Sequence, residues 1–225
     1  LGPNGCGKST LLNIISGIDK ANGGKISFKK TKKRQNSIGY VFQSYGNSLF
    51  PWLSAKENIA FPLKLKGMNR LNRVKKVEKL CDDFNFSLNL NTYPYRLSSG
   101  QQQLVAILRS LIIEPEIILM DEPFSSLDYY TELYLLESLS RIWEKIKTTV
   151  LFISHNIDEA VFLAQKIIVL SDKPAKVLKV IKNPIPYPRN TSDIGSTKFS
   201  TVKKSILKVL ATQNSSFKNL KVLYS

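Results

Sequence analysis

Apolar residues recur at helical spacing in several stretches and crowd into short runs between them, and that alternation is the main structural signal in the chain. Leu11, Leu12, Ile14, Ile15 and Ile18 predict a helix over residues 8–18, stopped by Gly17 and a turn at residues 19–24. Residues 25–28 read as a short strand, residues 29–34 as a basic run, and residues 37–42, with β-branched and aromatic side chains, as a second strand. Gly46, Pro51 and Pro62 break the pattern into loops and short helices. Residues 69–90 read as helical before a polar loop at 89–94, and a further helix is expected over 100–113. Residues 117–120 are wholly apolar, as suits a strand covered on both faces of a parallel sheet. Leu135, Leu136, Leu139, Ile142, Trp143 and Ile146 make one stripe of an amphipathic helix over 130–146. A strand at 149–154, a helix at 157–165 and a strand at 166–170 follow, so the expected class is α/β with a mainly parallel sheet. Pro184, Pro186 and Pro188 then mark a linker, and residues 202–211 predict a basic amphipathic helix.

Composition narrows the class without naming the chemistry. The 225 residues suit one α/β domain or a core with a small appendage. No apolar run approaches the length of a spanning helix, so a membrane connection would run through a partner. Cys6 and Cys81 are the only cysteines, too few for a disulfide framework and without metal-ligand spacing, which points to a reducing compartment. The net charge of +16 is uneven: residues 1–80 carry +13, residues 81–172 carry −7 and residues 173–225 carry +10. Such asymmetry raises nucleic acid or anionic membrane as a partner, against the plainer reading of a Lys-rich solvated surface. Lys outnumbers Arg by 26 to 7, which favours the plainer one. Leu1 is not an initiator Met and no signal or transit pattern follows it, so a segment upstream is expected.

Gly2, Pro3, Asn4, Gly5, Cys6, Gly7, Lys8 and Ser9 satisfy the G-x-x-x-x-G-K-[ST] phosphate-binding pattern, followed by Thr10 and a helix. Small residues let the backbone curl so that successive N–H groups face a phosphate, and the helix N-terminus adds positive potential. Lys8 is then placed to reach β- and γ-phosphates, and the Ser9 hydroxyl to reach Mg²⁺. Asp121 and Glu122 close the apolar strand at the end where ligands bind in open α/β sheets, Asp121 for Mg²⁺ and Glu122 to polarise a water. Together these motifs read as phosphoryl transfer from a nucleoside triphosphate to water.

The segment Leu97, Ser98, Ser99, Gly100, Gln101 closely resembles the signature motif of ATP-binding-cassette proteins. Gln43 after a strand, Pro123 to Asp128 after Glu122, and His155 at the end of the next strand fall in the order of that family. The resemblance covers about residues 1–180. Phe50, Pro51, Trp52, Leu53 and Ser54, then Glu57, Asn58 and Ile59, look like importer subunits for nitrate, sulfonate, taurine and related small solutes, as does the stretch after His155.

What the resemblance implies is a RecA-like P-loop core with an inserted α-helical signature subdomain, in a head-to-tail dimer with two ATP molecules sandwiched between the subunits. Residues 1–44 would carry the phosphate loop, 45–113 the helical subdomain, 114–182 the rest of the core and 183–225 a linker and basic tail. Ser98, Ser99, Gly100 and Gln101 would meet the γ-phosphate across the interface, and Asp128 would organise the opposite site. Gln43 would sense Mg²⁺ and the attacking water, and His155 would hydrogen-bond the γ-phosphate. The implied partners are a second cassette subunit, transmembrane permease subunits and, indirectly, a solute-binding protein, with the chain peripheral on the cytoplasmic or stromal face.

Three departures stand out. The family has strands and an adenine-stacking aromatic ahead of the phosphate loop, so the chain is expected to be N-terminally incomplete, with weaker ATP affinity. Ser99 replaces the first of two signature glycines, where a Cβ restricts the backbone. Leu104 stands where the family has Arg. Rival readings are a soluble cassette ATPase acting on nucleic acid or ribosomes, and a non-hydrolysing nucleotide-binding remnant; the first lacks the long insertion between motifs that such ATPases carry, so no nucleic acid is expected.

Overall fold

In the computed structural model, residues 1–28, 38–84, 86, 88–125, 127–146 and 148–212 are described. The basic run at 29–34, Ser37, Ser126 and the tail beyond residue 212 lie outside them.

Three strands, β1 (Ile38–Val41), β2 (Ile117–Asp121) and β3 (Thr149–Ile153), form a parallel sheet in the order β1-β2-β3. Ile118 lies level with Gly39 on one side and Val150 on the other. Successive side chains of a strand point to opposite faces, and β2 is buried on both. Leu119 packs with Leu12 and Ile153 beneath helix α1 (Lys8–Ser16), while Ile118 and Met120 join the larger core on the other face. Each such aliphatic side chain withdrawn from water contributes about 1.5–3 kcal/mol.

The helical part consists of α2 (Tyr45–Ser48), α3 (Ala55–Leu65), α4 (Arg70–Asp83), a 3₁₀ turn at Pro94–Arg96 and α5 (Ser99–Leu111). Helix α3 starts at a reciprocal cap: the Glu57 amide donates to Ser54 Oγ at 3.3 Å, and the Ser54 amide donates to Glu57 Oε2 at 2.9 Å. The Ser54 amide and the Ser54 hydroxyl, which also donates to Oε2 at 2.9 Å, hold the Glu57 carboxyl below the usual carboxylate range. Buried Asn58 knots the preceding loop, donating to the Phe50, Leu53 and Ser54 carbonyls and accepting from the Phe50 amide. Helix α5 approaches β1 so closely that a Cβ on Gly39 would lie 2.8 Å from the Ser110 carbonyl oxygen.

Downstream come α6 (Tyr129–Ile146), α7 (Ile157–Leu163), β4 (Lys166–Leu170), β5 (Val177–Lys182), a 3₁₀ turn at Thr191–Gly195 and α8 (Thr197–Ala211). Strands β4 and β5 form a separate antiparallel pair, and β4 is also joined to Leu1, whose amino group donates to the Ile168 carbonyl and whose carbonyl accepts from the Leu170 amide. A cavity of about 850 Å³, lined by Leu11, Leu12, Val150, Phe152, Ile167 and Tyr187, separates β3 from β4.

The sequence expectations change at several places. Residues 25–28 carry no strand, and among the described residues none pairs with them. Helix α4 stops at Asp83 rather than near residue 90, because the chain turns inward to bury Phe86, whose amide donates to the Cys81 carbonyl at 2.9 Å. Strand β5 was not expected, since Lys179 and Lys182 interrupt its apolar pattern and it buries only Ile181. The Pro-rich stretch is no free linker: Ile185 and Arg189 are buried against α7, and α8 begins at Thr197, capped by the Ser196 hydroxyl. Leu104 is buried in the core, so the apolar residue is accommodated by packing. Cys81 is buried too, with its thiol pushed up to about 11 by desolvation, which suits an inert core residue.

Candidate active site

The phosphate loop curls because Gly5 and Gly7 adopt left-handed backbone, φ 76° and 103°, which a side chain disfavours. Gly7 is the residue before α1, so the loop feeds directly into a helix N-terminus, the arrangement that presents N–H groups and positive potential to an anion. Gly2 and Cys6 are buried beneath the loop; Pro3 is half-buried, and Asn4, Gly5, Ser9 and Thr10 are exposed. Lys8 is 7% exposed, and its ammonium donates to the Gly2 and Pro3 carbonyls at 2.9 Å each.

Glu122 leaves the end of β2 with φ 44°, a conformation costing a non-glycine residue on the order of 1–3 kcal/mol. Its amide donates to the Ile153 carbonyl at 3.0 Å, which extends the pairing toward β3 and fixes where the side chain points. The carboxylate then meets three groups from three other elements. Glu122 Oε1 is 3.9 Å from Lys8 Nζ, and Oε2 is 3.1 Å from His155 Nδ1 and accepts from Gln43 Nε2 at 3.2 Å. Lys8, Gln43, Glu122 and His155 are thus brought together, although 114 positions separate Lys8 from Glu122 and a further 33 separate Glu122 from His155.

Asp121 is buried, and burial pushes its carboxyl above the usual range; Ser9 opposes this by a hydrogen bond, while the Glu122 charge adds to it. Among the described residues its Oδ1 atom has no hydrogen-bond partner. A buried carboxylate oxygen left unpaired beside a serine hydroxyl is costly unless a cation or water completes it. The pair Asp121 and Ser9 therefore fits a hard divalent cation with oxygen ligands. Burial, then Asp121 and Asp19, push the Tyr40 phenol up to about 12, so it stays a neutral donor, to Asn13 Oδ1 at 3.0 Å.

The signature residues form a second group. Ser98 caps α5 in a reciprocal pair with Gln101, and Ser98, Ser99 and Gln101 are exposed while Gly100 is buried. Asp128 is exposed and accepts from the Thr131 amide at 3.1 Å; that bond and the Thr131 hydroxyl hold its carboxyl below the usual range. Gly100 and Thr131 touch: a Cβ on Gly100 would run into Thr131 Cγ2, so helix packing favours the glycine. Among the described residues, no hydrogen bond or ion pair joins Ser98, Ser99, Gly100, Gln101 or Asp128 to the Lys8–Glu122 centre.

Sequence reasoning missed the polar residues behind His155. Ser154 and Glu159 are buried and hydrogen-bonded to each other at 2.5 Å. Buried Arg189 donates to the carbonyls of Val161, Phe162, Ala164 and Ile185 and stacks 4.2 Å over the Tyr187 ring. The apolar run at 160–163, which must end inside the molecule, was the one available sign that its last carbonyls need a donor.

A phosphate loop before a helix and a strand-end carboxylate pair met by a Gln and a His define a P-loop nucleotide hydrolase. Comparison with known proteins gives the family. The family model described as ABC transporter matches residues 1–125. The chain is 42% identical over 209 residues to the aliphatic sulfonates import ATP-binding protein of Bacillus cereus, covering 92% of this chain and 80% of that protein. An uncharacterised ABC transporter ATP-binding protein of Methanocaldococcus jannaschii is 40% identical over 212 residues, with coverage of 93% and 78%. Among solved structures, a dimeric ATP-binding cassette in a post-hydrolysis state bound to ADP and Pi is 36% identical with a TM-score of 0.66, covering 80% of this chain and 82% of that one. The chain belongs to the ABC transporter family, as one of its ATP-binding ATPase subunits, and is similar to the sulfonate-importer group.

Proposed function

We propose that the chain is the ATP-hydrolysing subunit of an importer for a small anion, a sulfonate or a related solute such as nitrate or taurine. The convergence of Lys8, Gln43 and His155 on Glu122 carries this reading, because it gathers groups for phosphate, water and the γ-phosphate at one carboxylate. Lys8 holds the β- and γ-phosphates, and the loop amides of residues 4–10 bind the remaining oxygens. Ser9, Asp121 and Gln43 would hold Mg²⁺, which would neutralise developing phosphate charge. Glu122 orients and polarises the attacking water, and His155 donates to the γ-phosphate while keeping Glu122 in place.

Ser98, Ser99, Gly100 and Gln101 of one subunit complete the site of the other, in a head-to-tail pair with ATP between them. The exposure of Ser98, Ser99 and Gln101, and the lack among the described residues of any hydrogen bond or ion pair joining them to the Lys8–Glu122 centre, support this, since a group that serves the γ-phosphate but is not tied to its own site can serve a neighbour's. Asp128 stands beside the same face through Thr131. Closure on ATP and opening after hydrolysis shift a two-state equilibrium that permease subunits convert into uptake. Among the described residues no helix is long and apolar enough to cross a membrane, which suits a peripheral subunit held by its permease on the cytoplasmic face.

The test is hydrolysis by the subunit reconstituted with its permease and solute-binding protein. Stimulation of phosphate release by a sulfonate-loaded binding protein is expected. Equal rates with loaded and empty binding protein, across sulfonate, taurine and nitrate, would overturn the solute assignment.

A further inference from the structure

His155 is 50% exposed, yet its Nδ1 atom sits 3.1 Å from Glu122, so something other than packing of the ring must fix the turn that carries it. That turn is tied from below by one hydroxyl. Ser154 Oγ accepts from the Asn156 amide at 2.8 Å, lies 3.1 Å from the Asn156 carbonyl oxygen, and lies 2.5 Å from Glu159 Oε2. A serine hydroxyl has one proton, and two of these three contacts, those to the Asn156 carbonyl and to Glu159, are between oxygens. Both are hydrogen bonds only when Glu159 supplies the second proton. The carboxylic acid then donates to Ser154 Oγ, and Ser154 donates to the Asn156 carbonyl, closing the turn around His155. Asn156 is held further by its own side chain, which accepts from the Asp158 amide at 2.9 Å and donates to Glu132 Oε1 at 3.5 Å.

We propose that Glu159 is a positioning residue for His155: as the neutral acid it locks the 154–156 turn through Ser154, and on ionising it draws the Ser154 proton to itself and frees the Asn156 carbonyl. The idea rests on the ATPase reading above, since it gives His155 its geometry for that reaction. The surroundings favour the neutral acid. Burial pushes the Glu159 carboxyl up to about 7; the Ser154 hydrogen bond opposes this, the Glu132 charge from α6 adds to it, His155 opposes it and Glu122 adds to it. Asp158 on the same helix is engaged by Lys203 of α8 at 2.7 Å. The device switches within the physiological range, with the turn closed below the transition and loosened above it.

His155 is the one histidine of the chain, so its imidazole can be followed without assignment in ¹⁵N-histidine spectra of the full chain. The parent protein should show a chemical-shift step near pH 7 that persists beside the imidazole's own titration, and Glu159→Gln, whose amide also donates to Ser154, should lack that step. Hydrolysis by the reconstituted complex should then fall in kcat above the transition with KM for ATP unchanged. Glu159→Gln should keep its kcat to higher pH, whereas Glu159→Ala and Ser154→Ala should each lose about tenfold in kcat at all pH values. Identical imidazole titrations in the parent and Glu159→Gln would overturn the proposal whether or not the complex hydrolyses ATP. So would a Glu159→Gln profile that falls at the same pH as the parent's.

Discussion

Glu122 shows how one residue's backbone serves its chemistry. Its left-handed φ is strained, yet the hydrogen bond from its amide to the Ile153 carbonyl holds it, and the carboxylate is thereby set between Lys8, Gln43 and His155. Gly100 carries a different constraint, steric rather than strained. Because a Cβ there meets the Thr131 methyl, Gly100→Ala is predicted to destabilise the chain by about 1–3 kcal/mol in urea unfolding. Adding Thr131→Ser, which removes that methyl and keeps the hydroxyl beside Asp128, should restore most of the loss. If the double variant is no more stable than Gly100→Ala, packing is not what demands the glycine. The neighbouring Ser99 is exposed, so its Cβ meets no packing conflict of that kind within the subunit.

Helix α7 is secured at both ends. Its N-terminal end is tied by Asn156, Ser154 and Glu159, and its last carbonyls receive Arg189 and Asn183, the latter donating to Val161 at 2.7 Å and Ala164 at 2.9 Å. The segment after β5 therefore works as a clamp on the helix that follows His155. Arg189→Ala strips several buried carbonyls of a charged donor and is predicted to cost about 3 kcal/mol, read as a shift of the urea midpoint. Arg189→Lys should recover less than half of that, because an ammonium cannot reproduce the planar fork over Tyr187. Full recovery by Lys would show that charge alone matters there.

The site's contiguous pieces were legible in the sequence because their chemistry is local. A phosphate loop is eight neighbouring residues before a helix, and Asp121 and Glu122 end an unbroken apolar strand. The helical stripes of α1, α5 and α6 were legible for the same reason: periodicity is a short-range property. What was hidden depends on meetings between distant segments. Nothing near Gly100 in sequence reports Thr131, and nothing near Arg189 reports the end of α7. Strand β5 was masked because its lysines break the alternation, and the early end of α4 reflects burial of Phe86 rather than any local stop signal.

At the scale of the molecule, charge and chemistry are divided. The acidic middle of the chain supplies Asp121, Glu122, Asp128, Glu132 and Glu159, while much of the excess positive charge lies on exposed lysines outside the site. The sheet supports the same division. Strands β1, β2 and β3 bring Gln43, Glu122 and His155 out at one end, and α1 brings Lys8 to meet them. Among the described residues, no hydrogen bond or ion pair joins Ser98 or Gly100 of the helical part to that centre.

The central claim is that Glu122 organises hydrolysis at a phosphate site held by Lys8. Single-turnover phosphate release by Glu122→Gln, measured beside ATP binding in the reconstituted complex, tests it most directly. The account predicts a fall in rate on the order of a hundredfold or more with ATP affinity kept within a few-fold, since the amide keeps the shape but cannot polarise water. Hydrolysis at the parental rate, or a loss of ATP binding that explains the whole decline, would contradict it.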